Sequence, residues 1–244
     1  MTSLRHAVAS RVRPIIRRHS AFIGSVVAVD TQRPEVVLSY DDGPDPGGTA
    51  QVLAALAEHG ATATFFVLLT RARKHPSVLA DVIAAGHEVA LHGLDHSMLT
   101  TLPAVEVRRR CLAGKHELED LAGVPIRWLR PPYGHQTLAT WRATRASGLE
   151  PVLWGRSSGD SQDFPPAERL RYALTGVQAG DILLGHDGFA TVHDGADDGP
   201  EPAVDRYRLG CDLMAGLRDR GLEGVSLGNA LLAGTPLRAA WFKR

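Results

Sequence analysis

The sequence predicts a single α/β domain built on a parallel sheet of the barrel type. From residue 39 to residue 225, short apolar runs alternate with stretches of helical periodicity, which is the order of parallel strands joined by helices. Residues suited to catalysis directly follow several of the apolar runs, and a barrel brings the carboxyl ends of its strands to one face. A chain of 244 residues is long enough for one such domain with a sizeable core.

Each element follows from the spacing of its apolar residues and from the glycines, prolines and caps around it. Strands are predicted at 26–29, 35–40, 61–69, 87–91, 126–129, 151–154, 182–184 and 222–225. Helices are predicted at 51–59, 76–85, 103–121, 137–147, 167–179 and 207–220. The first two strands are expected to pair as a hairpin, because a turn-like segment separates them. Thr49 is a possible N-cap of the first helix, and Gly60 ends it.

Residues 1–22 are predicted to form a basic arm ahead of the barrel domain, which takes residues 23–244. The arginines of this arm are Arg5, Arg11, Arg13, Arg17 and Arg18. An apolar stretch follows, so an atypical secretion signal is the alternative to an uncleaved arm on a cytoplasmic protein. The stretch is short and no small-x-small cleavage pattern follows it, which favours the uncleaved arm and a cytoplasmic location. No segment is long enough to span a membrane.

The net charge bears on the class of binding partner, and the two cysteines bear on disulfides and metal sites. The formal net charge is zero, which gives no reason to expect nucleic acid as a partner. The two cysteines, Cys111 and Cys211, fall on separate predicted helices. We expect them to be small buried residues rather than a disulfide or a thiolate metal site. The sequence leaves the oligomeric state open.

The stretch Ser39-Tyr40-Asp41-Asp42-Gly43-Pro44 places two adjacent carboxylates at the end of a predicted strand. Neighbouring side chains of an extended backbone point in different directions. Asp41 and Asp42 can therefore do different work in one pocket, for instance one on a metal and one on a proton. A surface turn is the alternative, because Asp-Gly-Pro is ordinary turn composition.

Two histidines follow another predicted strand. His92 and His96 are four residues apart, close enough to share an ion if the segment makes a turn. Such a pair is also explained by a surface turn or by core packing. Together with a carboxylate from residues 39–44 it gives three protein ligands and one open position, which is typical of a catalytic divalent ion.

Three further groups follow strand candidates in the same way. They are Arg130-Pro131-Pro132-Tyr133, then Asp160 in the loop after Trp154, then His186 two residues after Leu184. Because the carboxyl ends of parallel strands open on one face, all five polar groups are expected to meet in one site.

These motifs resemble those of the polysaccharide deacetylase family, carbohydrate esterase family 4, over about residues 26–232. The family's first motif, Thr-Phe-Asp-Asp-Gly-Pro, stands here as residues 39–44. The second motif, His-Ser/Thr-x-x-His, corresponds to residues 92–96, and the segment 86–89 that precedes it is also typical of the family. The third motif corresponds to residues 130–134, and the fifth, Leu-x-His, corresponds to residues 184–186. The resemblance implies a distorted (β/α)7-type barrel in one domain, with fewer than eight full units.

The resemblance also implies a role for each site residue. Asp42, His92 and His96 would hold a divalent ion, usually Zn²⁺, with Co²⁺, Mn²⁺ or Ni²⁺ possible. Asp41 would be the general base, oriented by Arg130, and His186 the general acid, oriented by Asp160. The substrate-binding positions would be Pro131, Tyr133 through its backbone amide, Trp154 and Leu184.

The function implied is metal-dependent removal of the N-acetyl group from an N-acetylated amino sugar, with release of acetate. The sugar would belong to a glycan, an oligosaccharide or a lipid- or small-molecule-linked sugar. One alternative is the same chemistry on another small amide or ester, such as a natural-product or nucleotide-linked sugar. The other is a catalytically silent relative that only binds glycans, against which the complete set of motif residues argues.

Several residues depart from the family pattern or lie outside it. Gly93 replaces the usual Ser or Thr, and Asp95 is a possible partner for an imidazole. Asp163 offers a second alignment for the fourth motif in place of Asp160. The segment from 186 to 205 is expected to be a solvated loop, with a lid or a second cation site as alternatives. Four histidines are expected to be solvated: His59, His75, His116 and His135.

Overall fold

The computed structural model describes residues 23–196 and 199–243. The predicted basic arm and the signal that is its alternative lie outside the described residues, as do Asp197 and Asp198 of the loop expected to be solvated. The cytoplasmic location therefore stays a prediction. Among the helices of the described ranges, none combines the length and the apolar character that crossing a bilayer requires.

The described residues alternate strands and helices in the order the sequence predicts. The strands are β1 (Ser25–Asp30), β2 (Glu35–Asp41), β3 (Thr64–Leu68), β4 (Glu88–Gly93), β5 (Trp128–Leu129), β6 (Glu150–Pro151), β7 (Arg156–Ser157), β8 (Ile182–His186), β9 (Glu223–Val225) and β10 (Thr235–Ala239). The α-helices are α1 (Gly48–His59), α2 (Leu69–Lys74), α3 (Pro76–Ala84), α4 (Ala104–Ala122), α5 (Leu138–Arg145), α6 (Pro166–Leu174), α7 (Arg206–Arg218) and α8 (Leu227–Ala230). Short 3₁₀ helices lie at Leu99–Thr101, Pro132–Gly134 and Val192–Asp194.

Parallel strands form the centre of the domain, in the order β6-β5-β4-β3-β2-β8-β7, and β9 pairs with the first half of β2. Only four residues separate β6 from β7 in the chain, so one interrupted stretch pairs with β5 at its start and with β8 at its end. The two ends of the curled sheet are thereby brought together, and helices pack around it. This confirms the predicted distorted single-domain α/β barrel.

The predicted hairpin between the first two strands is wrong. β1 pairs antiparallel with β10 and does not pair with β2. β2 already has parallel partners on both edges, β3 and β9 on one side and β8 on the other, so no edge remains for β1. β1 instead lies beside the interrupted stretch, where the amide of Leu153 donates to the Val26 carbonyl. The sequence analysis did not predict β10.

The start of α1 also differs from the prediction. Gly47, not Thr49, is the N-cap, and as a glycine it has no side chain with which to cap the helix. The carboxylate of Asp45 accepts hydrogen bonds from the amides of Gly47 and Gly48 just ahead of the helix. Thr49 is buried and directs its hydroxyl into the barrel end, where it donates to Asp187 at 2.5 Å. The same hydroxyl accepts from the Asp45 amide at 2.7 Å, so Thr49 joins the segment ahead of α1 to Asp187.

The strands divide their side chains between two apolar layers. In β2, Val36 and Leu38 face the helices, whereas Val37 lies in the barrel interior with Phe66 and Ile182. Alternate residues of a strand share a face, so the inward series of β2 ends in two polar residues, Ser39 and Asp41.

Cys111 is buried and Cys211 is half-buried, and both are free thiols.

Candidate active site and metal centre

The carboxyl end of β2 presents Asp41 and Asp42 in different directions. Asp42 has a φ of 74°, in the left-handed region that non-glycine residues rarely adopt. Asp187 braces this turn, since its carboxylate accepts from the Gly43 amide at 3.1 Å and its own amide donates to the Asp41 carbonyl. A backbone in a sparsely populated conformation needs surrounding structure to hold it, and these contacts supply it.

Asp42, His92 and His96 converge as three potential metal ligands. Oδ1 of Asp42 lies 3.4 Å from Nε2 of His92 and 3.4 Å from Nε2 of His96, and all three residues are buried. In a tetrahedral site with metal–ligand distances of about 2.0–2.1 Å, the ligand atoms are about 3.3–3.4 Å apart. The measured separations therefore match a shared divalent ion.

The hydrogen bonds around the cluster also fit a cation. Nδ1 of His92 donates to the main-chain oxygen of Arg130 at 2.8 Å, which turns the lone pair of Nε2 towards Asp42. Oδ1 of Asp42 is buried and accepts no hydrogen bond from the residues that the structure describes. Burial raises the pKa of Asp42, but the three nearby histidines, His92 above all, lower it further, so it stays well below its usual range. The lone pairs of these ligand atoms face one another in a buried site, and a cation between them would remove the cost of that arrangement.

Arg130 occupies the barrel interior and pairs with Asp41. Its Nη1 donates to Oδ1 of Asp41 at 2.7 Å, and its Nη2 donates to the hydroxyl of Ser39 at 3.0 Å. The guanidinium is fully buried and lies 4.0 Å from the centre of the Phe66 ring. The other oxygen of Asp41, Oδ2, lies 3.9 Å from Nε2 of His92. Arg130 thus fixes one oxygen of Asp41 and leaves the other facing the metal cluster.

Half-buried His186 and buried Asp160 form a second pair across the cavity. Nδ1 of His186 lies 2.8 Å from Oδ1 of Asp160, and the His186 amide donates to Oδ2 at 2.6 Å. Burial lowers the pKa of His186, but the charge and hydrogen bond of Asp160 raise it further, to about 10. The aspartate at this position is Asp160 and not Asp163, whose side chain is exposed.

These groups line one cavity of about 390 Å³, a volume typical of ligand sites. Its lining residues are Asp41, Asp42, His92, His96, Tyr133, His135, Trp154, Asp160, Ser161, Gln162, Leu184, His186, Gly188, Phe189, Pro202 and Arg206. Every predicted site residue lies in the cavity or against it except Pro131. That proline is buried, and its carbonyl accepts from the Gly134 amide, so it shapes the turn at Tyr133 without lining the cavity.

Part of the cavity wall consists of residues that were not predicted to belong to it. His135 was expected to be solvated, yet it lines the cavity together with Phe189 and Arg206. The segment expected to be a solvated loop is partly anchored: Asp194 is buried, accepts from Nη2 of Arg71 at 2.9 Å, and offers its carbonyl to the His96 amide. His135 follows Tyr133 closely in the sequence and Phe189 follows His186, but no residue pattern identified either of them as part of the wall.

A second group of potential ligands, Glu58, His59 and Cys211, lies at the surface of α1 and α7. Tyr207 donates to Glu58, and Arg218 contacts Nδ1 of His59 at 3.2 Å. Burial and then the charge of Glu58 raise the pKa of the Cys211 thiol. A thiol is a metal ligand as the thiolate, so these neighbours disfavour the ligating form.

Gly93 has a backbone conformation that explains the missing Ser or Thr. Its φ is 134°, and an added Cβ would lie 2.7 Å from the Asp95 carbonyl oxygen. Asp95 is not turned to an imidazole in this loop; it accepts from the Ser97 amide and pairs with Arg110. The loop between the two histidine ligands is therefore built around a glycine.

We expect Gly93→Ser to destabilise the fold rather than to stiffen the loop. The strained backbone and the contact with the Asp95 oxygen should lower the free energy of unfolding by about 1–3 kcal/mol. Gly86→Ser is the control, because Gly86 also has a positive φ of 80° but has open space around it. Urea unfolding of both variants measures the difference; equal losses would show that the contact at Gly93 has no effect.

Three comparisons with known proteins complete the description of the site. A family model described as polysaccharide deacetylase matches residues 28–152. A chitooligosaccharide deacetylase of Sinorhizobium fredii is 34% identical over 171 residues, which are 68% of this chain and 78% of that protein. A peptidoglycan-N-acetylglucosamine deacetylase of Bacillus cereus is 31% identical over 156 residues, 63% of this chain and 72% of that protein. The solved structure of a family pseudoenzyme from Bacillus anthracis has the same fold, with a TM-score of 0.73 at 18% identity, covering 84% of this chain and 68% of that one.

Proposed function

Because the chain belongs to the polysaccharide deacetylase family, we propose that it removes the N-acetyl group from an amino sugar of a glycan or oligosaccharide and releases acetate. The observation that carries this proposal is the meeting of a three-ligand cluster, a carboxylate and a histidine in one cavity. The relatives described above act on chitooligosaccharides and on peptidoglycan, as their names state. Both substrates carry N-acetylated amino sugars.

Asp41 is proposed as the general base. Hydrolysis of an amide needs water to lose a proton as it attacks the carbonyl carbon. Oδ2 of Asp41 faces the cluster while Arg130 holds the other oxygen, so the base keeps one orientation. A divalent ion, when bound by Asp42, His92 and His96, lowers the pKa of water towards about 7 and polarises the carbonyl.

His186 is proposed as the general acid, because the amine that leaves needs a proton. Its raised pKa keeps the imidazolium charged at neutral pH, and Asp160 fixes the ring through Nδ1, so that Nε2 is the nitrogen that donates. Tyr133, Trp154 and Leu184 line the same cavity and are proposed to position the acetyl group. The left-handed backbone of Tyr133, with φ of 62°, supports the proposal that its amide stabilises the oxyanion.

Zinc is the metal proposed for the cluster. Two imidazole nitrogens and one carboxylate oxygen, with one position left for water, are the ligand set typical of catalytic Zn²⁺. Imidazole also suits Co²⁺ and Ni²⁺, and carboxylate suits Mn²⁺, so these ions are alternatives. Metal analysis of the purified chain, followed by removal and replacement of the ion, identifies which one supports acetate release.

Acetate release from a panel of substrates tests the function. The panel contains N-acetylglucosamine oligomers, peptidoglycan fragments, nucleotide-linked sugars and simple aryl acetates. We expect turnover of the oligomers or the fragments. Turnover of only the nucleotide sugars or esters would support the small-molecule alternative, and glycan binding without any acetate would support the silent relative. Binding has to be measured together with acetate release, because a pseudoenzyme from Bacillus anthracis has the same fold and the fold alone does not decide activity.

We expect acetate release to fall at alkaline pH, and Asp160→Asn to move that fall to lower pH. The acid works in its protonated form, so the wild type should keep this step below the His186 pKa of about 10 and lose it above. Without the charge of Asp160, the pKa should fall below about 10, because burial lowers it and only the charges of Asp42 and Asp41 still raise it.

Profiles of kcat/KM against pH check this shift, and Asp163→Asn is the matched control because Asp163 is exposed. An unmoved alkaline limb in Asp160→Asn would contradict the role of His186. The free energy of unfolding should also fall as the pH rises. Because the pKa of His186 is raised in the folded state, its charged form stabilises the fold fully below pH 6.5, and this stabilisation is lost as the pH rises through about 10.

A further inference from the structure

A lysine ammonium lies just outside the cavity, in contact with a residue of the cavity wall. Nζ of Lys243 contacts the ring of His135, at 3.0 Å from Nδ1. His135 lines the cavity, and its ring centre lies 5.8 Å from that of Tyr133. Tyr133 in turn packs edge-on against the metal-cluster residue His96, with 4.4 Å between the ring centres. Lys243 is therefore just beyond the rings that lead outwards from the metal cluster.

The position of Lys243 depends on a buried glutamine. Gln136 accepts from the hydroxyl of Ser25 at 2.9 Å and donates to the carbonyl of Trp241 at 3.1 Å. The amide of Lys243 donates to the main-chain oxygen of Gln136 at 2.8 Å, and Phe242 packs on Trp141. These bonds hold the backbone of residues 241–243 beside Gln136, and from there the lysine side chain reaches His135.

The charge of Lys243 is not neutralised in the described part of the chain. No carboxylate there forms an ion pair with Lys243, whereas the other cation at the rim, Arg206, pairs with Glu201 at 2.8 Å. Burial and then the Lys243 charge lower the pKa of His135, which leaves that imidazole uncharged at neutral pH. The rim thus offers one full positive charge and a neutral hydrogen-bonding ring.

We propose that Lys243, held against His135, binds an anionic group, a carboxylate or a phosphate, on a sugar next to the one that loses its acetyl group. The inference rests on the proposed function, because it names the class of glycan that the same cavity prefers. An ammonium is a compact charge that attracts either anion, and at a partly screened rim it contributes modestly to binding. The neutral backbone of the glycan would still bind without it.

The test compares Lys243→Gln and Lys243→Glu with the wild type on three glycans of equal length. One is a neutral N-acetylglucosamine oligomer, one carries a lactyl carboxylate on alternate sugars, and one carries a phosphate. At low salt we expect kcat/KM for an anionic glycan to fall about two- to fivefold in Lys243→Gln and about tenfold in Lys243→Glu, through KM. The neutral oligomer should change less than about twofold. Whichever anion shows the loss is the one recognised.

Arg33→Glu is the control for net charge, because Arg33 precedes β2 at the opposite end of the barrel and is exposed. Equal losses on neutral and anionic glycans, or an equal effect of Arg33→Glu, would overturn the proposal. Dissociation constants for the three glycans are measured alongside turnover. If the wild type releases no acetate, the proposed function fails, yet a weaker affinity of Lys243→Glu for the anionic glycan alone still supports this subsite, and unchanged affinity overturns it.

Discussion

Replacing Asp41 by asparagine should lower kcat for acetate release by about 10²–10⁴-fold, the contribution typical of a general base. The amide oxygen can still accept from Arg130, but it cannot take a proton from water. The metal cluster should survive, because Asp41 is not one of its three convergent ligands. Steady-state kinetics and metal content, measured on the same preparation, check both expectations.

The same substitution has a second expected effect, on stability. Arg130 is fully buried, and Asp41 is the carboxylate paired with it. Removing one charge of a buried pair costs about 3–5 kcal/mol, because the remaining charge is left uncompensated. Circular dichroism and urea unfolding therefore accompany the kinetics. Turnover close to that of the wild type, in a folded variant with bound metal, would contradict the assignment of Asp41 as the base.

Replacing His92 by alanine should remove both the metal and the activity. Losing an outer partner of a metal ligand costs roughly 10–100-fold in metal affinity, and losing a ligand should cost more. The remaining pair, Asp42 and His96, offers only two protein ligands. We expect the dialysed variant to retain little divalent ion and to release acetate at a rate near the detection limit.

His116→Ala is the control for this substitution, since His116 is exposed on α4 and has no place in the cluster. It should keep its metal and its turnover. Excess metal should partly rescue binding in His92→Ala, whereas Asp41→Asn should not respond to it. Full metal content and turnover in His92→Ala would exclude the cluster as the catalytic metal site.

Much of the site could be predicted because the positions of its residues follow from the local sequence pattern. Asp41, His92, Arg130 and His186 each stand at or just beyond the end of a parallel strand, so the strand pattern alone predicts that they meet. The choice between Asp160 and Asp163 required coordinates, because loop geometry decides which carboxylate reaches His186.

The remainder depends on contacts that are distant in sequence. The pairing of β1 with β10 could not be predicted from either strand, because it follows from the occupied edges of β2. The role of Thr49 depends on Asp187, which lies at the same end of the barrel but far away in the sequence. His135 carries no local mark of its place in the wall. These are features of tertiary packing rather than of local sequence.

The interrupted stretch from Glu150 to Ser157 is the seam of the barrel. Its first residues pair with β5 at one end of the curled sheet and its last residues pair with β8 at the other, so a few peptide units join the two ends. Trp154 sits at this join and faces the cavity. The same segment leads into the loop that carries Asp160 to His186, whereas the register of β2 with β8 places Asp41 beside His186.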